Sequence, residues 1–99
     1  MQIPSISNDT SVETISLTIP DPDLDFSQAR DRAREAALEH CQIPPMMLAW
    51  NDARAGRFYP TFECNRTGQP PWIVYARARG ANLTVDINQG GYVFLFLKL

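Results

Sequence analysis

Apolar and polar positions alternate strictly from Leu83 to Asn88. Leu83, Val85 and Ile87 share one side and Thr84, Asp86 and Asn88 the other, the two-residue period of a half-buried strand. The next apolar run does not alternate. From Tyr92 to Leu97, one face carries Tyr92, Phe94 and Phe96 and the opposite face Val93, Leu95 and Leu97, so this strand requires cover on both sides. Between the two, Asn88-Gln89-Gly90-Gly91 supplies residues that tolerate positive φ, and the pair is predicted to be a hairpin.

The same pattern organises the upstream chain. Residues 1–11 are polar and read as a loose lead-in. Val12 to Ile19 alternates, with β-branched residues at most positions, which predicts a strand that stops at Pro20. The loop Asp21-Pro22-Asp23-Leu24-Asp25 ends in a good helix N-cap, and Gln28 stands where a capping box needs it. Phe26 to about Cys41 is rich in Ala, Arg and Glu and free of Gly and Pro, which predicts the main helix. At about a hundred degrees per residue, Phe26, Ala29, Ala33, Ala36, Ala37 and His40 fall within one stripe, with Leu38 a further apolar contact.

Past Pro44-Pro45, the segment Met46 to Trp50 starts a second apolar strand. A turn at Ala53-Arg54-Ala55-Gly56 and a return strand over Arg57 to Glu63 follow, with Pro60 placing that strand at a sheet edge. Residues 64–71 form the longest polar loop. Trp72 to Arg79 is open between two readings. Ile73, Val74 and Tyr75 favour a strand, whereas Pro70-Pro71 as an opening, a shared face of Trp72, Tyr75, Ala76 and Arg79, and Gly80 as a cap favour a short helix. The helix is preferred. The sum is one α+β domain over residues 12–99, an antiparallel sheet of four or five strands with one long and one short helix packed on one face.

Composition narrows the function classes. The formal charge is −2 and the nine basic residues are spread along the chain, so no electrostatic footprint for nucleic acid or an anionic membrane is present. No apolar run reaches spanning length and the first twenty residues lack a signal-peptide pattern, which predicts a soluble cytoplasmic protein. In that compartment Cys41 and Cys64 are expected as free thiols, and the Asn-x-Ser/Thr triplets at Asn8, Asn65 and Asn82 as chance matches.

The set Leu48-Ala49-Trp50 with Asp52, then Gly56, Phe58 and Pro60, then Trp72, Tyr75-Ala76 and Arg79-Gly80, resembles a small family of uncharacterised bacterial and archaeal proteins. The resemblance covers residues 12–97. It implies no activity that can be carried over.

Candidate chemistry is sparse. No nucleophile, base and acid converge by spacing, no CxxC, HxH or HExxH pair is present, and no glycine loop leads into a helix, so neither metal nor cofactor is expected. The catalytic candidates are Asp86, mid-strand on the polar side, Asp52 beside a turn, and His40 at the helix end; a turn role is favoured for Asp52 and a helix-end role for His40, and a solvated strand position is the plain reading of Asp86. Trp50, Trp72, Tyr75 and Arg79 are candidates to line a ligand cleft. With both helices on one face, the two-sided strand Tyr92, Val93, Phe94, Leu95, Phe96 and Leu97 is left open, which predicts a subunit interface and a homodimer. The function expected is therefore that of a self-associating interaction or ligand-binding domain without catalysis, with a small enzyme or metal-dependent protein, its site in a cleft between subunits, as the alternative.

Overall fold

The computed structural model describes residues 12–61 and 68–99. In chain order its elements are β1 (Glu13–Leu17), α1 (Phe26–Leu38), β2 (Met46–Asp52), β3 (Arg57–Tyr59), α2 (Pro71–Ala78), β4 (Leu83–Ile87) and β5 (Tyr92–Leu97). The lead-in 1–11 and the end of the return strand, residues 62 and 63, lie outside the described residues, as do Cys64, Asn8 and Asn65. The sheet has five strands in the order β1-β4-β5-β2-β3.

Local chemistry explains the element ends. At the start of α1 the capping box is complete: the Gln28 amide donates to Asp25 Oδ1 at 2.9 Å and the Asp25 amide to Gln28 Oε1 at 3.1 Å. The helix stops at Leu38, three residues short of the expected Cys41, and His40 lies in the turn beyond it. Residues 71–78 are helical. Pro71 opens α2, where a missing N–H costs nothing, and a Schellman arrangement closes it: Ala81 donates to the Ala76 carbonyl and Gly80, at φ 86°, to that of Arg77. The β4–β5 turn uses positive φ at Asn88, Gln89 and Gly90, as its composition requires.

Two expectations are corrected. The sheet is mixed: β1 runs parallel to β4, while the other neighbouring pairs are antiparallel. Alternation reveals a strand but not its partner, and only a tight hairpin forces antiparallel pairing; β1 is joined to no neighbour by a hairpin. The helices also lie on opposite faces rather than one. On the first face Ala29, Ala33 and Ala37 of α1 meet Leu83, Val85 and Ile87 of β4 and Tyr92, Phe94 and Phe96 of β5. On the second, Trp72 and Ala76 of α2 meet Leu48, Ala49 and Leu95.

The expected interface therefore becomes the core. β5 is the central strand; Tyr92, Phe94, Leu95 and Phe96 are buried within the chain, and Val93 and Leu97 are half-buried against the α2 cluster. A bulge between Met47 and Ala49 lets Leu48 and Ala49 both face α2. Leu38, one residue off the alanine stripe, is turned away from the core and is 46% exposed.

Asparagine side chains extend the ladders at both ends of β4. Asn88 accepts from the Ile19 amide at 2.7 Å and donates to the Ile19 carbonyl at 3.1 Å, tying the exit of β1 to the hairpin. Asn82 does the same to Lys98, at 2.7 and 3.2 Å. Asn88→Ala removes two hydrogen bonds and places alanine at φ 58°, so a loss of about 1–3 kcal/mol is expected in urea unfolding. Asn88→Gly keeps the backbone unstrained and should lose less; an equal loss would show that the φ angle contributes nothing.

Candidate binding surfaces

The strand register places side chains in rows. On the second face one row runs Thr14, Thr84, Leu95 and Ala49, and the next runs Ser16, Asp86, Val93, Asn51 and Phe58. Both rows change from polar to apolar on leaving β4 for β5, with Asn51 the polar exception on β2. Because α2 packs on β2, β3 and β5, it covers the apolar half and leaves the half over β1 and β4 open.

A cleft of about 390 Å³ lies at this boundary. Its floor is Val93 and Leu95, its helix wall is Trp72 and Ile73, and Thr14 and Thr84 lie across from them. Arg77 is the single charged residue on its lining and makes no ion pair with any described residue. An apolar floor, two hydroxyls and one uncompensated cation suit an amphipathic anion.

The residues singled out by sequence are dispersed. Asp86 lies in the β4–β5 hairpin, where its Oδ1 accepts the Gly90 amide at 2.7 Å, and Asp52 lies at the β2–β3 turn on the other face. Asp52 is 3% exposed; its Oδ1 accepts the Ala55 amide at 3.1 Å and its Oδ2 stands 3.5 Å from an Arg57 nitrogen. Both carboxylates hold turns. His40 is exposed, with Nδ1 3.9 Å from Glu13, which also pairs with Lys98. The three do not form a constellation. Among the described residues no group of three or more His, Cys, Asp or Glu side chains is placed to hold a metal ion, and Cys41 is a free thiol.

The tryptophans are separated by the sheet, Trp72 in the α2 cluster and Trp50 on the α1 side. Tyr75 and Arg79 lie together, the guanidinium 3.6 Å from the ring centroid, at the β3 edge and outside the cleft lining.

Comparison with known proteins decides the lineage. Residues 12–96 match the family model described as Domain of unknown function (DUF5619). The chain belongs to that family. The match begins one residue before β1 and ends inside β5, so the DUF5619 unit comprises the whole sheet and both helices. An uncharacterized protein of Archaeoglobus fulgidus is 39% identical over 49 residues, 50% of this chain and 52% of the relative, so the alignment spans about half of that protein. A crystal structure of protein AF1514 from the same organism shares the fold at a TM-score of 0.73, with 27% identity over 89% of this chain and 95% of that one.

The DUF5619 fold also creates a contact set that sequence reading missed. Phe26, the first residue of α1, packs on Trp50 with centroids 4.4 Å apart and the rings tilted by 52°, and Trp50 lies 6.4 Å from Tyr59, its cross-strand partner. Tyr59 in turn meets Tyr75 edge-on at 6.4 Å. The Arg30 and Arg57 guanidinium carbons are 6.0 and 5.9 Å from the Phe26 centroid. Part of this was accessible: a turn confined to residues 53–56 pairs Asp52 with Arg57 and hence Trp50 with Tyr59. The Phe26 contact depends on where α1 crosses the sheet, for which no local signal exists. Among the described residues no helix is long and apolar enough to cross a membrane.

Proposed function

We propose that this DUF5619 domain is a cytoplasmic, non-catalytic binding module that takes a small amphipathic anion, an alkyl or aryl carboxylate, in the cleft beside α2. The observation that carries the reading is the convergence of Arg77, Thr14 and Thr84 on an apolar floor in a cleft of about 390 Å³, within the size range of small-molecule sites, roughly 300–1,000 Å³. The carboxylate would pair with Arg77 and the tail would lie on Val93 and Trp72.

Calorimetric titration with octanoate and with octanol tests it. Octanoate should bind more tightly than octanol, and Arg77→Ala should abolish the difference without changing the unfolding midpoint, because Arg77 is exposed. Equal affinity of the two probes for the unaltered protein would overturn the assignment.

A second reading, self-association, is favoured by β1. This five-residue strand forms one edge of the sheet, with its outer backbone groups unpaired by any described strand. A homodimer joined there would remain intact in Arg77→Ala; a concentration-independent monomer mass in light scattering would remove this reading and leave the cleft reading in place.

A further inference from the structure

We infer that the half of the first face not covered by α1 is a docking groove for an acidic amphipathic helix of another protein. α1 packs on β4 and β5, so the sheet beside it, over β2 and β3, carries no helix among the described residues. Strands are spaced about 4.8 Å apart and packed helices about 8–10 Å, so a second helix parallel to α1 would lie two strands away, over β2 and β3. Among the described residues this half-face has room for one helix.

Its chemistry is specific. The floor is Met47, Trp50 and Tyr59, all on the first face, and Tyr59 is 47% exposed. The α1 wall repeats every four residues as Phe26, Arg30, Arg34 and Leu38, which places two guanidinium groups between two apolar ends. Beside Leu38 a pocket of about 220 Å³, lined by Arg34, Met47 and Phe96, is sized for one aliphatic side chain. The far end of the groove is closed by Arg57.

Charge selects the occupant. Arg34 has no ion-pair partner among the described residues, the buried Arg30 Nε has no hydrogen-bond acceptor and only Asp31 at 3.7 Å, and Arg57 is answered by Asp52 alone. Arg30 and Arg34 on the α1 wall meet only one carboxylate, the solvated Asp31, whereas Arg57 shares its end of the groove with Asp23, Asp25, Asp52 and Arg54; the α1 wall therefore favours an anionic partner and disfavours a polybasic segment. A second copy of this chain is a poor fit. The outer side of its α1 offers acids at Asp31, Glu35 and Glu39 but no apolar stripe between them. The occupant is therefore a helix with leucine-like residues at helical spacing and glutamates or aspartates on its flanks.

The test is fluorescence anisotropy of labelled synthetic helices of about 14 residues, about 20 Å long, one with leucines flanked by glutamates and one with the glutamates replaced by lysines. The glutamate peptide should bind saturably and at least about tenfold more tightly than the lysine peptide, and Arg34→Glu should reverse that order. Arg34 is exposed, so this variant should fold as the parent does. No saturable binding of the glutamate peptide, or equal binding of the two, overturns the proposal. So does a protein mass that rises with concentration and falls to that of a monomer in Arg34→Glu, since the groove would then be filled by a second copy.

Discussion

Phe94→Arg is expected to yield no folded protein. Phe94 sits at the centre of β5 with no exposed surface, flanked by Val85 and Trp50 on the neighbouring strands and capped by Phe26 at 5.7 Å. Truncating such a residue to alanine costs about 3–5 kcal/mol, against a total of about 5–15 kcal/mol for a domain of this size. Arginine adds a buried cation with no carboxylate in its row, a desolvation cost that the remaining contacts cannot offset. Circular dichroism should show loss of cooperative unfolding at every protein concentration, with Phe94→Ala folded but far less stable. A stable, folded monomer of Phe94→Arg would instead mean that this ring faces a subunit interface, as the two-sided apolar pattern on its own suggested.

That contrast marks where sequence reading ends. The alternation of β4, the capping box of α1 and the positive-φ turn at Asn88 are local: each is decided by residues within a few positions of one another, and each forms as its chemistry dictates. The two-sided pattern of β5 was equally legible, and correctly demanded two covers. Which element supplies the second cover is a non-local question. Eight residues of α2, reached from the far edge strand β3, lie on the second face because Trp72 and Ala76 fit the surface that the bulge at Leu48 and Ala49 presents. Nothing in the spacing of Trp72 and Ala76 says which side of a sheet they will meet.

The candidate site was less legible for a related reason. Asp86 drew notice as a mid-strand carboxylate and Asp52 as one beside a turn; both are held by backbone amides of adjacent turns, so their geometry is a consequence of the hairpins. Arg77 drew notice only as a candidate partner for Asp86, and Thr14 and Thr84 only as polar strand positions, because such residues are ordinary until a parallel β1–β4 pair sets the two threonines in register. With α1 over β4 and β5 on one face and α2 over β2, β3 and β5 on the other, two half-faces diagonally across from each other carry no helix among the described residues. One is polar with a single cation; the other is aromatic with three.

Trp72→Ala separates these two surfaces. Trp72 anchors α2 to Leu48, Ala49 and Leu95 and forms the wall of the small-molecule cleft, and its truncation is expected to cost about 3–5 kcal/mol. α2 has eight residues and no side-chain cap at its start, well below the length of roughly 12–15 residues at which an isolated helix becomes marginal in water, so it depends on this anchor. Hydrogen exchange should show the amides of residues 74–78 losing protection while those of β4 and β5 retain theirs, and octanoate binding should be lost. The α1 side keeps its own packing through Ala29, Ala33 and Phe94, and α2 reaches the groove floor at its edge, where Tyr75 meets Tyr59, so affinity for the glutamate peptide should fall by no more than about fivefold, a difference of about 1 kcal/mol. If peptide binding were lost together with octanoate binding while β4 and β5 stayed protected, the two surfaces would be coupled through α2 and the strands β2 and β3 on which it packs.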